Sequence, residues 1–140
     1  MTITVGAVFD TNVVYAALRS SQGASRLLLD QVLDGQLTMH LTVPLLLEYN
    51  EVLLRERRAI GVTHSDVVVL LGALAELGQW HEVHYLWRPV VEDPDDAHVL
   101  EAATAAGCPN LVTFNTRDFT EASALGVDVL TPADFLERIY

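Results

Sequence analysis

Four groups of polar and acidic residues stand where a chain could use them chemically. Asp10 follows directly on a short apolar run, Ile3–Phe9. Glu48 interrupts the apolar stretch Leu45-Leu46-Leu47 in LLLEYNEVLL, with Glu51 three residues on. Asp93, Asp95 and Asp96 crowd into EDPDD. Asp118 closes LVTFNTRDF, in company with Thr113 and Asn115. Taken singly, each has an ordinary explanation. Asp10 would cap a helix, and Glu48 would sit on an exposed helix face. EDPDD would complement the positive end of a helix dipole, and the last group would be a polar turn. Together they are harder to set aside. Clustered carboxylates repel and raise each other's pKa, so such a cluster persists when a hard divalent cation neutralises it. Mg2+ and Mn2+ take oxygen ligands and keep several waters. A pocket of that kind suits hydrolysis of a phosphodiester by an activated water.

The elements that must position these residues follow from periodicity. Strand-like runs cover Ile3–Phe9, Leu37–Val43, His81–Leu86, Leu111–Phe114 and Val127–Leu130. Helical patterns cover Val13–Leu18, Ser25–Leu33, Pro44 to about Arg58, Ser65–Leu77, Pro94–Ala106 and Pro132–Ile139. Ser20-Ser21-Gln22-Gly23 separates the first two helices. Pro44 suits a first helical turn, Thr63 or Ser65 caps the fourth helix, and Gly107 ends the fifth. Strands separated by helices predict an α/β fold, with a mostly parallel central sheet of about five strands and helices on both faces. The length predicts one domain over residues 1–140. Ligands of such sheets bind beyond the C-terminal strand ends. Asp10 and the Thr113, Asn115 and Asp118 group both follow strand ends. Asp95 or Asp96 opens a helix on the same rim, and Glu48 lies about one turn into its helix.

Composition removes several function classes. Eight basic residues against 19 acidic ones give a net charge of −11, and all eight are arginines. Without lysine there is no P-loop, no Schiff base and no Ser–Lys pair. So acidic a surface disfavours passive binding to nucleic acid. It fits a basic partner protein, or a site where metal ions invert the local charge. The hydrophobic fraction of 51% excludes disorder. The longest apolar run, Val67–Ala75, is about half of the roughly 18 residues a membrane span requires, so no membrane association is expected. Cys108 stands alone, without a disulfide partner or a thiolate zinc set. MTITVGAVFD has no basic n-region and no cleavage site, which leads us to expect a cytoplasmic protein.

In order along the chain, VFDTNVVYAAL, LLLEYNEVL, DPDDAHVLEAATAAG and LVTFNTRDF resemble the motifs of PIN-domain proteins. VDVLTPADFL resembles that family's last strand and helix. The resemblance spans essentially the whole chain. It is strongest for the VapC-like toxins of prokaryotic type II toxin–antitoxin pairs. It implies a PIN-like endoribonuclease that needs Mg2+ or Mn2+. Its catalytic, metal-binding acids would map onto Asp10, Glu48, Asp96 and Asp118. Asn12, Asp93, Thr113 and Asn115 would be accessory, with Thr113 and Asn115 orienting the metal or its waters. Within DPDD, Asp93 is the other candidate for the third-motif acid. Asp96 is preferred because Val99, Leu100 and Ala103 follow it at helical spacing. Asn115 departs from the Asp that many members carry, which implies a more weakly held metal. The implied partners are an RNA substrate, a second copy in a homodimer, and a cognate antitoxin whose basic segment blocks the site.

The remaining residues carry less. His40, His64, His81, His84 and His98 share no ligand spacing, although His98 lies two residues after Asp96. Arg117 beside Asp118 could touch a phosphate, or form a surface pair worth little. Arg55, Arg57 and Arg58 end the Glu48 helix, where cations are expected, and could also meet RNA. Trp80, Tyr85 and Trp87 read as core or interface residues. Other functions compete with the nuclease. A haloacid-dehalogenase-like phosphatase would use Asp10 as nucleophile and want an acid at position 12, where Asn12 stands. A receiver domain would need a lysine. A catalytically inactive interaction module would keep the fold and bind only a partner, but acids at every motif argue against it.

Overall fold

In the computed structural model, residues 5–83 and 94–140 are described; for residues 94–96 and 121 the description is of the backbone alone. Strand β1 (Gly6–Phe9) runs through the centre of the sheet and is buried at Ala7, Val8 and Phe9. A continuous apolar run is what a strand covered on both faces requires. It is followed by α1 (Thr11–Arg19), α2 (Ala24–Leu33), β2 (Thr38–Leu41) and α3 (Val43–Glu56). Next come α4 (His64–Leu77), β3 (Gln79–Trp80), α5 (Pro94–Ala106) and β4 (Asn110–Val112). A 3-10 segment (Thr116–Leu125), β5 (Asp128–Leu130) and α6 (Pro132–Ile139) complete the described chain.

The helix starts are written in local chemistry. Thr42 caps α3 by accepting from Leu45 N, with Pro44 in the first turn. Thr63 and Asp66 form a reciprocal capping box at α4, at 3.0 and 2.8 Å. Thr131 caps α6, again with proline in the first turn.

The five strands pair in the order β3-β2-β1-β4-β5, and every pair is parallel. Among the described residues, six α-helices flank the sheet on both faces, as expected. Parallel neighbours need long crossovers, which the helices supply. β1 pairs with β2 on one side and β4 on the other, so the winding reverses direction at β1. The gap between the C-terminal ends of β1 and β4 is the topological switch point, where open α/β sheets hold their ligands.

The edges differ from the sequence expectation. The third strand was expected at His81–Leu86, but pairing occupies Gln79–Trp80, in register with His40 and Leu41. His81–Val83 are not strand, and residues 84–86 lie outside the described residues. The reason is the length of the partner. β2 ends at Leu41, where Thr42 turns to cap α3, and only the His81 N–H still reaches Leu41 O, at 2.9 Å. Trp80 is not core either. It is 41% exposed, and its indole N–H donates to Ala75 O at 2.8 Å. His84, Tyr85 and Trp87 lie outside the described residues. Among the described residues no helix is long and apolar enough to cross a membrane.

The shortened edge creates a contact that the sequence did not reveal. His40 Nδ1 and His81 Nε2 lie 2.8 Å apart, with ring centroids 5.0 Å apart and planes tilted by 42°. A Cβ at Gly6 would run into the His40 imidazole, so β1 opens with the residue that lacks one. A hydrogen bond between two imidazoles needs one donor and one acceptor, so at least one ring is neutral. Burial, and secondarily the charge of His81, holds His40 below its ordinary value of 6.5. In the unfolded chain the ring regains that value and binds a proton more readily. The pair's contribution is therefore complete above pH 6.5 and is lost as the pH falls through the depressed folded value. We expect the thermal midpoint to fall on acidification below pH 6.5, and to fall less for His40→Gln. Parallel melting profiles for the two proteins would overturn this.

Candidate active site

The carboxylate of Asp10 lies at the C-terminal end of β1, 7% exposed. Its own N–H donates to Val112 O at 2.9 Å, which fixes it beside β4. Each of its oxygens has a fixed donor. Oδ1 accepts from Thr11 N at 2.8 Å, the N-cap of α1, and Oδ2 accepts from Thr113 Oγ1 at 2.6 Å. The capping role and the site role are thus served by different oxygens of one side chain.

Glu48 reaches the same point from α3. Thr11 Oγ1 donates to its Oε2 at 2.8 Å, so consecutive residues of the Asp10-Thr11 pair hold the first acid and tether the second. Thr11 is 7% exposed, and the sequence reading passed over it. Its signal was its place immediately after Asp10, between a strand end and a helix start.

Thr113 is the hub on the β4 side. It is fully buried and follows β4 directly. Its hydroxyl donates to Asp10 and accepts from Asn115 N at 3.0 Å and from Asn12 Nδ2 at 3.5 Å. Asn12 Oδ1 in turn accepts from Phe114 N at 3.4 Å. Asn12 therefore ties α1 to the β4 turn as both donor and acceptor, work that an ionised aspartate, which only accepts, could not do in both directions.

Tyr49, beside Glu48, is fully buried, and its hydroxyl donates to the Phe9 carbonyl. Burial, then the nearby charges of Asp10 and Glu48, pushes its phenol well above the ordinary value. It stays protonated and pins the end of β1 to α3 without adding charge. Tyr49 too was missed, because an apolar-facing tyrosine in a helix looks like ordinary core.

The other expected residues fall as follows. Asn115 and Asp118 are exposed at the start of the 3-10 segment, where Asp118 N donates to Asn115 O at 3.0 Å. No hydrogen bond or ion pair among the described residues joins the Asp118 carboxylate to Asp10 or Glu48. Arg117 is exposed and does not pair with Asp118. Asp96 stands in the first turn of α5, but its side chain, like all of Asp93, lies outside the described residues. His98, half-buried on α5, lines a cleft with Glu48, and its Nδ1 is buried with no hydrogen-bond partner among the described residues. Glu101, one turn further on, is 2% exposed, with Oε1 likewise unpartnered.

Two clefts open on this rim. One, of about 480 Å³, is lined by Asp10, Asn12, Tyr15, Arg55 and Asn115 among others. The other, of about 330 Å³, runs along α3 past Glu48 to His98. Both fall in the volume range of ligand sites. Among the described residues no group of three His, Cys, Asp or Glu side chains is placed to hold a metal ion. Asp10 and Glu48 supply two carboxylates, joined through Thr11. This donor set is oxygen only, as hard cations prefer, and has no soft thiolate. The residues present fit a hard divalent ion.

Comparison with known proteins agrees with the fold and the motifs. Residues 6–117 match the PIN domain family model. No curated protein sequence matches significantly. Among solved structures, the chain resembles the crystal structure of VapBC2 from Rickettsia felis bound to a DNA fragment from their promoter. The TM-score is 0.62 at 12% identity, over 89% of this chain and 98% of that one. At such identity the likeness speaks for the fold. The family match covers most of the sequence, from β1 to the start of the 3-10 segment, and on that ground the chain belongs to the PIN domain family.

Proposed function

We propose that the protein is a metal-dependent endoribonuclease, a PIN-domain toxin of a type II toxin–antitoxin pair. The observation that carries this reading is the meeting of Asp10 and Glu48 through Thr11 at the switch point between β1 and β4. Asp10, Glu48, Asp96 and Asp118 would hold Mg2+ or Mn2+, with Asp93 as the neighbouring acid of the third motif. Such an ion, when bound, lowers the pKa of a water and neutralises charge on a phosphate. The chain's own residues supply the positioning. Thr113 orients Asp10, Thr11 orients Glu48, and Asn12 with Asn115 closes the β4 side. Tyr49 keeps β1 and α3 in register as a neutral donor.

An antitoxin partner, a homodimer and a cytoplasmic setting belong to the same reading. The structural neighbour is a VapBC2 assembly, which supports a protein partner of the antitoxin kind. The net charge of −11 suits a basic segment on that partner. The first test is cleavage of a labelled RNA pool at millimolar Mg2+ or Mn2+, with EDTA as control. Metal-dependent cleavage that EDTA abolishes is the expected result. Folded protein that neither cleaves RNA nor binds Mn2+ by calorimetry would move the assignment to the interaction module.

A further inference from the structure

Arg55 occupies an unusual place for an arginine in so acidic a chain. The two clefts described above share two lining residues, Val52 and Arg55. Arg55 thus stands on the ridge of α3 that separates them. Among the described residues it is the sole arginine lining either cleft, against Asp10 and Glu56 on one side and Glu48 and Glu51 on the other. Its guanidinium lies 3.8 Å from Glu51 and 3.4 Å from Glu56, with 60% of its side chain exposed. Exposed pairs of this kind contribute little to stability, so the fold has small need of it. They use part of a five-donor group and hold it in place, leaving further donors for a ligand.

Its neighbours fit nucleotides on either side. Tyr15 lines the Asp10 cleft, with the Arg19 guanidinium 5.7 Å from its ring centroid. The imidazole of His98, with Pro44 and Leu47, lines the Glu48 cleft. Rings and apolar edges of this kind are what unpaired bases stack on. Glu48 and Arg55 are two helical turns apart on one face, about 10 Å along the axis. That spacing suits a phosphate next to the one over the acids.

We propose that Arg55 is a positioning residue that anchors a flanking phosphate of a single-stranded RNA, one nucleotide lying in each cleft. This rests on the nuclease reading and adds to it a residue that holds the strand beside the acids.

The test measures binding and turnover separately. A labelled oligouridylate is titrated by anisotropy with Asp10→Asn protein, across a salt series, beside a duplex of equal length. Arg55→Ala in that background should weaken single-strand binding about tenfold, the size of one charge-assisted contact. The salt slope should fall by about 0.7, one phosphate on a single strand. Arg138→Ala, on α6 and outside both clefts, should change neither. In the otherwise wild-type enzyme, Arg55→Ala should raise KM and leave kcat within about twofold, and Arg55→Lys should be intermediate, keeping charge but losing the fork. Thermal melts check that each variant folds. Cleavage by the wild type with unchanged affinity and salt slope in Arg55→Ala would overturn the assignment while the nuclease stands. Equal loss on the duplex would overturn the single-strand part. No RNA binding and no cleavage by the parent proteins would sink both readings.

Discussion

Asp10→Asn should lower RNA cleavage by about a thousandfold, the upper end of the range for removing one electrostatic stabiliser, while raising the thermal midpoint in EDTA. Both effects arise from the same carboxylate. Asparagine has nearly the shape of aspartate and is an equally good N-cap, so Thr11 N keeps its acceptor. The Thr113 hydroxyl, which already accepts from Asn115 N and Asn12 Nδ2, must give up the longer bond from Asn12 to accept from the new amide, a loss smaller than the repulsion removed. What disappears is a negative charge, 7% exposed, close to Glu48 and to the buried hydroxyl of Tyr49. Losing it relieves repulsion in the metal-free protein and removes an anionic ligand for a hard cation. Cleavage at the wild-type rate by a homogeneous Asp10→Asn preparation would show that the activity resides elsewhere. Lost cleavage with a lowered midpoint would mean that Asp10 is chiefly structural.

Much of this site is visible in residue order alone. A parallel sheet brings every strand's C-terminal end to one rim, which puts the acid after β1 and the threonine after β4 on the same edge, and the observed strand order then makes them neighbours. Proline and threonine at the starts of α3 and α6, and the Thr63–Asp66 box at α4, fix those helices locally. What stayed hidden depends on tertiary reach. Thr11 reads as a cap neighbour until α3 brings Glu48 to its hydroxyl. His40 and His81 lie 41 positions apart, and their contact exists because β3 stops early. The 3-10 segment resembles a polar loop because its core-facing residues, Phe119, Ala122 and Leu125, recur every third position and not at the 3.6-residue period of an α-helix. Asp118 shows the limit of motif order. The segment leaves its side chain exposed, so a place in the motif does not by itself place it in contact with Asp10.

Thr113→Val tests whether that contact network, and not the acids alone, sets activity. Valine has the shape of threonine and suits a buried position just after a strand, so packing is preserved. The hydroxyl it removes has three partners. Asp10 Oδ2 loses its 2.6 Å donor, and Asn115 N and Asn12 Nδ2 lose their acceptor. A buried donor or acceptor left unpaired costs about 1–3 kcal/mol. Stability should therefore fall by roughly that amount, since Asn115 is exposed and recovers its bond from water. Activity should fall further than stability accounts for. Groups that orient a metal's ligands typically contribute about 10- to 100-fold to affinity or rate, and Asp10 without the Thr113 donor is held less firmly. The diagnostic is the metal dependence. Thr113→Val should need more Mn2+ or Mg2+ for half-maximal cleavage, and Thr113→Ser, which keeps the hydroxyl, should restore the wild-type requirement. A loss of stability with an unchanged metal requirement would reduce Thr113 to a core residue and show that Asp10 is oriented without it.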